Sequence, residues 1–134
     1  MVIPKLHYIS QGNSPKEHLE NIQKACASGA ELVQLNLKDV SEKKLLKLAN
    51  EAREITAHFQ TRLLITDDYK TAKAVKADGV HLEETDVSIA RLHVYTWQSI
   101  GGTANTLQDC ETLLEKEVDY IRLGPFRNTT TDNS

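Results

Sequence analysis

Short apolar runs of strand length alternate along the chain with longer stretches whose apolar residues recur three and four apart, the βαβα signature of a parallel sheet covered by helices. The first run, Leu6 to Ser10, leads into Asn13-Ser14-Pro15, a helix cap with proline at the first helical position. The helix it opens carries Leu19, Ile22, Ala25 and Cys26 on one face, and Gly29 suits the left-handed residue that ends many helices. Glu31 to Leu37 predicts a second strand. Asp39 or Ser41 then caps a helix with Leu45, Leu46, Leu48, Ala49, Ala52 and Ile55 along its length. Arg62 to Thr66 predicts the third strand, Tyr69 to Val75 a short helix, Val80-His81-Leu82 a very short fourth strand and Asp86 to Leu92 a brief helix. Gln98 to Thr103 reads as a fifth strand, although the Gly101-Gly102 pair weakens it. A helix from Thr106 to Leu114 and a sixth strand from Asp119 to Leu123 complete the pattern.

Parallel strands joined by helices cross over right-handedly, and their ligands sit beyond the carboxyl ends of the strands. In a barrel those loops form one rim. Here they hold Asn36-Leu37-Lys38-Asp39, Thr66-Asp67-Asp68, Glu83-Glu84-Thr85-Asp86, Thr103-Ala104-Asn105 and Arg127 to Asp132. Asp67 and Asp86 follow neighbouring strands, so their carboxylates are candidates for one hard cation, and magnesium suits a site of one or two carboxylates completed by water and phosphate. The competing expectation is that Asp67 caps the helix near Tyr69 and Asp86 caps the next one. Thr129-Thr130-Thr131 offers hydroxyls and backbone N–H groups as a phosphate cradle, against the alternative of a mobile polar tail. Lys38 is placed to neutralise phosphate, while a lone surface lysine is ordinarily solvated. His81, inside an apolar run, reads as a satisfied strand histidine rather than a catalyst.

Composition narrows the classes. The chain has 134 residues, 40% hydrophobic and 26% charged, which suits one globular domain. A net charge of −3 with dispersed basic residues argues against nucleic acid as a partner. No apolar stretch approaches the roughly 20 residues that span a bilayer, and the opening MVIPKLHYIS is unlike a signal peptide, so a cytoplasmic location without membrane attachment is expected. Cys26 and Cys110 lie far apart in helical patterns and read as free, buried or half-buried thiols.

Several segments together resemble the thiamine phosphate synthase family and its relative, the thiazole tautomerase. Leu32-Val33-Gln34-Leu35-Asn36-Leu37-Lys38-Asp39 is similar to that family's strand-two motif, V-Q-L-R-E-K-D. Ala77-Asp78-Gly79-Val80-His81-Leu82, with Asp86 four residues on, resembles its A-D-G-V-H-L-G-Q-x-D motif. Ile100-Gly101, Thr106-Leu107, Val118-Asp119-Tyr120 and Leu123-Gly124-Pro125-Phe126 keep the later spacing through to Thr129-Thr130-Thr131. The resemblance implies a parallel (β/α)8 TIM barrel that joins an aminopyrimidine diphosphate to a thiazole phosphate, releasing pyrophosphate. It implies Asp67 and Asp86 as magnesium ligands, Lys38 as a diphosphate contact and catalytic residue, and Gln34 as a pyrimidine contact. Thr103, as a second catalytic residue, joins Thr129 and Thr131 as further polar contacts to the phosphorylated substrates.

Departures accompany these matches. Asn36 stands where the family has Arg, Thr66 where it has Asn before the metal Asp, and Asp132 where a Lys follows the threonine loop. Asn36 and Thr66 remain substrate-binding candidates of weaker kind. Asn105 matches the histidine on which the tautomerase depends and cannot transfer protons as imidazole does. A binding or scaffold homologue without turnover is the rival expectation to the enzyme. Barrels of this type take about 200 residues or more, so six βα units predict open edges at the first and sixth strands, and with them self-association or membership of a longer product.

Overall fold

A computed structural model describes residues 6–125. The elements run β1 (His7–Ile9), α1 (Pro15–Ala27), β2 (Leu32–Leu35), α2 (Glu42–Phe59), β3 (Arg62–Thr66), α3 (Tyr69–Ala74), β4 (Gly79–Leu82), α4 (Val87–His93), β5 (Ser99–Ala104), α5 (Leu107–Glu115) and β6 (Tyr120–Leu123). All six strands are parallel and lie in chain order across one sheet. Each helix begins where a side chain accepts an otherwise orphaned amide: Ser14, Ser41, Asp68, Asp86 and Thr106 are the caps, and Thr106 with Asp109 closes a reciprocal capping box. Asp68, not Asp67, therefore caps α3. Gly29 takes the left-handed conformation expected of it, with φ 99°.

Strand alternation sorts the side chains into two layers. Val33, Leu35, Leu63, Ile65, Val80, Leu82 and Ile100 face the helices and meet Ile22, Cys26, Leu45, Ala49, Ala52, Ala72, Val87 and Ala90 in one apolar core. The opposite face, which curls inward as the inside of a barrel does, carries Gln34, Leu64, Thr66, His81, Gly101, Thr103, Tyr120 and Arg122, matched across the ladder by the pairs Gln34–Leu64, Thr66–His81, His81–Gly101, Gly101–Tyr120 and Thr103–Arg122. Leu46 of α2 is 39% exposed, on the side of the helix away from Leu45, Ala49 and Ala52. Cys26 is buried and Cys110 half-buried, both free.

The double glycine of β5 is a packing requirement. A Cβ on Gly101 would fall within the ring of Tyr120, and one on Gly102 would lie 2.9 Å from Leu113 Cδ2. At the amino ends of the strands, aspartates staple neighbours: Asp78 Oδ2 accepts from Leu63 N at 2.8 Å and from Arg53 Nη1 at 3.1 Å, and Asp119 Oδ2 accepts from Ile100 N at 2.7 Å. Asp78→Ala is expected to cost about 1–2 kcal/mol, allowing for solvent screening of its partly exposed carboxylate. The check is a lowered urea midpoint with an unchanged slope and unchanged anion binding, since this end lies opposite the candidate site.

Candidate functional site

At the carboxyl ends of the strands the inner face is a continuous polar relay. Gln34 is buried in β2, where its Nε2 donates to Thr66 Oγ1 at 2.8 Å and its Oε1 accepts from Arg122 Nη1 at 2.7 Å. The same Arg122 Nη1 lies 3.3 Å from His81 Nε2, which is also 2.7 Å from Thr103 Oγ1. His81 Nδ1 is 2.8 Å from Tyr120 Oη, with the two rings stacked at 5.5 Å. Five strands thus contribute to one network, although Gln34 and Arg122 stand 88 residues apart in sequence.

Arginine has no acceptor, so the imidazole nitrogen facing Arg122 must be the unprotonated one. That assigns His81 as the neutral Nδ1–H tautomer: Nδ1–H donates to Tyr120 Oη, and Nε2 accepts from Thr103 Oγ1–H and Arg122. Burial, then the Arg122 charge, lowers the imidazole to about 4. Burial likewise pushes the Tyr120 phenol up to about 12, with Arg122 opposing the rise. Because the unfolded histidine titrates near 6.5, the unfolded chain takes up a proton between about pH 6.5 and 4 that the folded chain refuses. The stability that neutral His81 contributes is therefore complete above pH 6.5 and is lost as pH falls, by about 3 kcal/mol at the limit. Urea unfolding at pH 7 and 4.5 should show this loss, and His81→Gln should make it shallower.

The rim has a different character. Asp67 adopts a left-handed backbone, φ 58°, and its Oδ1 accepts from three successive amides, Glu83, Glu84 and Thr85, at 2.8, 3.0 and 3.2 Å. No described residue hydrogen-bonds its Oδ2. Asp86 is otherwise engaged: Oδ1 accepts from Ser88 N at 2.7 Å and Oδ2 from Lys116 Nζ at 2.8 Å. The Lys116 hydrogen bond, then the Ser88 amide, holds this exposed carboxyl below its usual range. Arg91 reinforces the same seam by donating to Lys116 O and Glu117 O. Lys38 is exposed and paired with Glu83 at 3.2 Å, whose hydrogen bond and charge hold the ammonium pKa above its ordinary value. Leu37, Lys38, Thr66, Asp67, Asp68 and Lys70 are among the residues lining an open groove of about 480 Å³.

The residues expected from sequence thus divide. Gln34, Thr66 and Thr103 meet in the inner relay, Lys38 and Asp67 border the groove, and Asp86 is tied to α5. Asn36 sits at the top of β2, where its backbone N–H donates to Ser10 Oγ at 2.9 Å and its Oδ1 is buried without a partner. Thr129, Thr131 and Asp132 lie outside the described residues. A hard cation fits Asp67, whose free oxygen suits an ion that keeps most of its waters. In this arrangement Asp86 offers no free oxygen, and no cluster of three or more His, Cys, Asp or Glu suited to a metal occurs among the described residues. Sequence reasoning passed over Tyr120 and Arg122. The signal was present in the period of two, which puts both on the face that carries Thr103 in the neighbouring strand.

A parallel sheet of βα units in chain order, with a polar inner face and an acidic rim, is the architecture of a (β/α) barrel. The sequence model of thiamine monophosphate synthase matches residues 6–134, and the chain belongs to that family. It is 39% identical over 129 residues to a thiamine-phosphate synthase of Flavobacterium johnsoniae, covering 95% of this chain and 61% of the relative. A thiamine-phosphate synthase of Flavobacterium psychrophilum is 36% identical over 95% of this chain and 63% of its own length. The chain therefore spans about three-fifths of these curated relatives. A solved thiamine phosphate pyrophosphorylase from Pyrococcus furiosus superposes with TM-score 0.80 at 24% identity, covering 90% of this chain and 59% of that one. A 3-dehydroquinate dehydratase from Geobacillus kaustophilus reaches 0.69 at 13% identity over 90% and 61% of the two chains. Both share the fold. Among the described residues no helix is long and apolar enough to cross a membrane.

Proposed function

We propose that the protein acts as a thiamine-phosphate synthase, joining an aminopyrimidine diphosphate to a thiazole phosphate with release of pyrophosphate, in the cytoplasm. The observation that carries this reading is the part-buried relay Thr66–Gln34–Arg122–His81–Thr103. An apolar inner face would serve stability alone. Buried amide, imidazole and hydroxyl groups in fixed orientations instead match a flat heterocycle with ring nitrogens and an exocyclic amine.

Gln34 and Thr66 would hold one edge of the pyrimidine, with Thr103 and His81 opposite. Because His81 is kept neutral, it does not add positive charge beside the methylene carbon as the diphosphate departs. Asp67 would hold magnesium through Oδ2, and Asp86 would join only by exchanging its Lys116 partner. Neutralisation of the diphosphate oxygens is the chemistry that ion supplies when bound. Lys38 would approach the diphosphate from the groove, and Thr129 and Thr131 would supply further contacts. Pairing of a second copy along the outer edges of β1 or β6 would cover the backbone groups they leave open.

Incubating the protein with both phosphorylated substrates and magnesium and separating the products tests the reading. Thiamine phosphate and pyrophosphate in equal amounts are expected; neither product above the protein-free control would overturn it. The engagement of Asp86 by Lys116 favours one rival, a homologue that binds the diphosphate without turnover.

A further inference from the structure

Two cations near the carboxyl rim are ion-paired. Lys38 is paired with Glu83 and Lys116 with Asp86. Arg122 differs: among the described residues it has no carboxylate partner, and both hydrogen bonds it makes use Nη1. A guanidinium has two faces for bidentate bonding. The Nε–Nη2 edge of Arg122 makes no hydrogen bond to any described residue. Arg122 as a whole is half-buried.

We infer that Arg122 is an anion-binding residue of the inner face, gripping a phosphate-type oxyanion through its Nε–Nη2 edge while its Nη1 fixes the orientations of Gln34 and His81. This rests on the proposed function and deepens it, by naming the cation on β6 that ties the heterocycle pocket to the anion. Asn36, at the top of β2, is neutral, so charge for an anion over the inner face must come from elsewhere. Arg122 reaches across to β2 from β6 and supplies it. Two roles follow from one side chain. Binding an anion at the free edge and setting the Gln34 amide at the other couple charge recognition to ring recognition, so an anion without the ring should still bind.

Calorimetric titration with inorganic pyrophosphate, without magnesium, tests this on the 134-residue protein. Arg122→Gln should weaken binding about tenfold, the loss expected of one charge-assisted fork, and should flatten the salt dependence of what remains. Arg122→Lys, which keeps the charge but not the fork, should be intermediate. It stands in if the Gln variant fails to fold, as judged by its urea midpoint. Asp78→Ala, at the opposite end of the strands, should leave this magnesium-free binding unchanged. Arg122→Gln or Arg122→Lys binding as tightly as the parent would overturn the inference, as would a parent that does not bind pyrophosphate. Product formation from the two substrates then decides separately whether the synthase reading stands.

Discussion

Asp67→Ala is expected to lower stability by about 2–3 kcal/mol, far more than a rim residue ordinarily would. Two causes combine. The amides of Glu83, Glu84 and Thr85 lose their common acceptor, and alanine must take a φ of 58° that Asp and Asn tolerate better than other non-glycine residues. Asp67→Asn separates these from charge. Its amide oxygen can still accept, and asparagine accepts the left-handed backbone, so it should remain within about 1 kcal/mol of the parent. Magnesium-dependent tightening of pyrophosphate binding should nevertheless vanish in both variants. Urea unfolding and calorimetry on the pair would check this. An alanine variant as stable as the parent would show that water replaces the carboxylate at no cost.

Gly101→Ala should be a damaging single-methyl addition to β5. The added carbon would occupy the ring of Tyr120, and a packed interior responds to such crowding with about 1–3 kcal/mol of strain. The displaced phenol would also leave His81 Nδ1–H without its acceptor, which adds to the cost. Urea unfolding should show the loss, and the double variant Gly101→Ala/Tyr120→Ala should be less destabilised than the sum of its parts, because removing the ring removes the collision. Additive losses would place the ring elsewhere.

The outer layer of the fold was legible because its physics is local. Caps at Ser14, Ser41, Asp86 and Thr106 and the apolar face through Ile22 and Cys26 need only residues within a few positions of one another. Element ends shifted by a residue or so where the strands fray, as at Glu31 and Leu37. The inner face was legible only in fragments. Gln34, Thr66 and Thr103 entered through motif resemblance, whereas Arg122 belongs with them only once β2 and β6 curl toward each other across the inner face. His81 read as a satisfied strand histidine, and it is satisfied. Its partners, however, are the residues that make the site. Asp67 offered a cap by its position in a βα loop, but the positive φ hands that task to Asp68 and turns the Asp67 carboxylate toward the next loop. Asp86 has both its expected capping role and the lysine that caps the end of α5, Lys116, which no spacing rule indicates.

The central claim is that the inner polar face, with Asp67 at its rim, receives the phosphorylated aminopyrimidine. Amide and side-chain NMR shifts during titration with the aminopyrimidine diphosphate and magnesium address it directly. Shifts should concentrate at Gln34, Thr66, Asp67, His81, Thr103 and Arg122, with His81 remaining in the neutral Nδ1–H form. Shifts confined to the helical exterior or to the amino ends of the strands, leaving the Gln34 amide and the His81 ring unmoved at saturation, would contradict it.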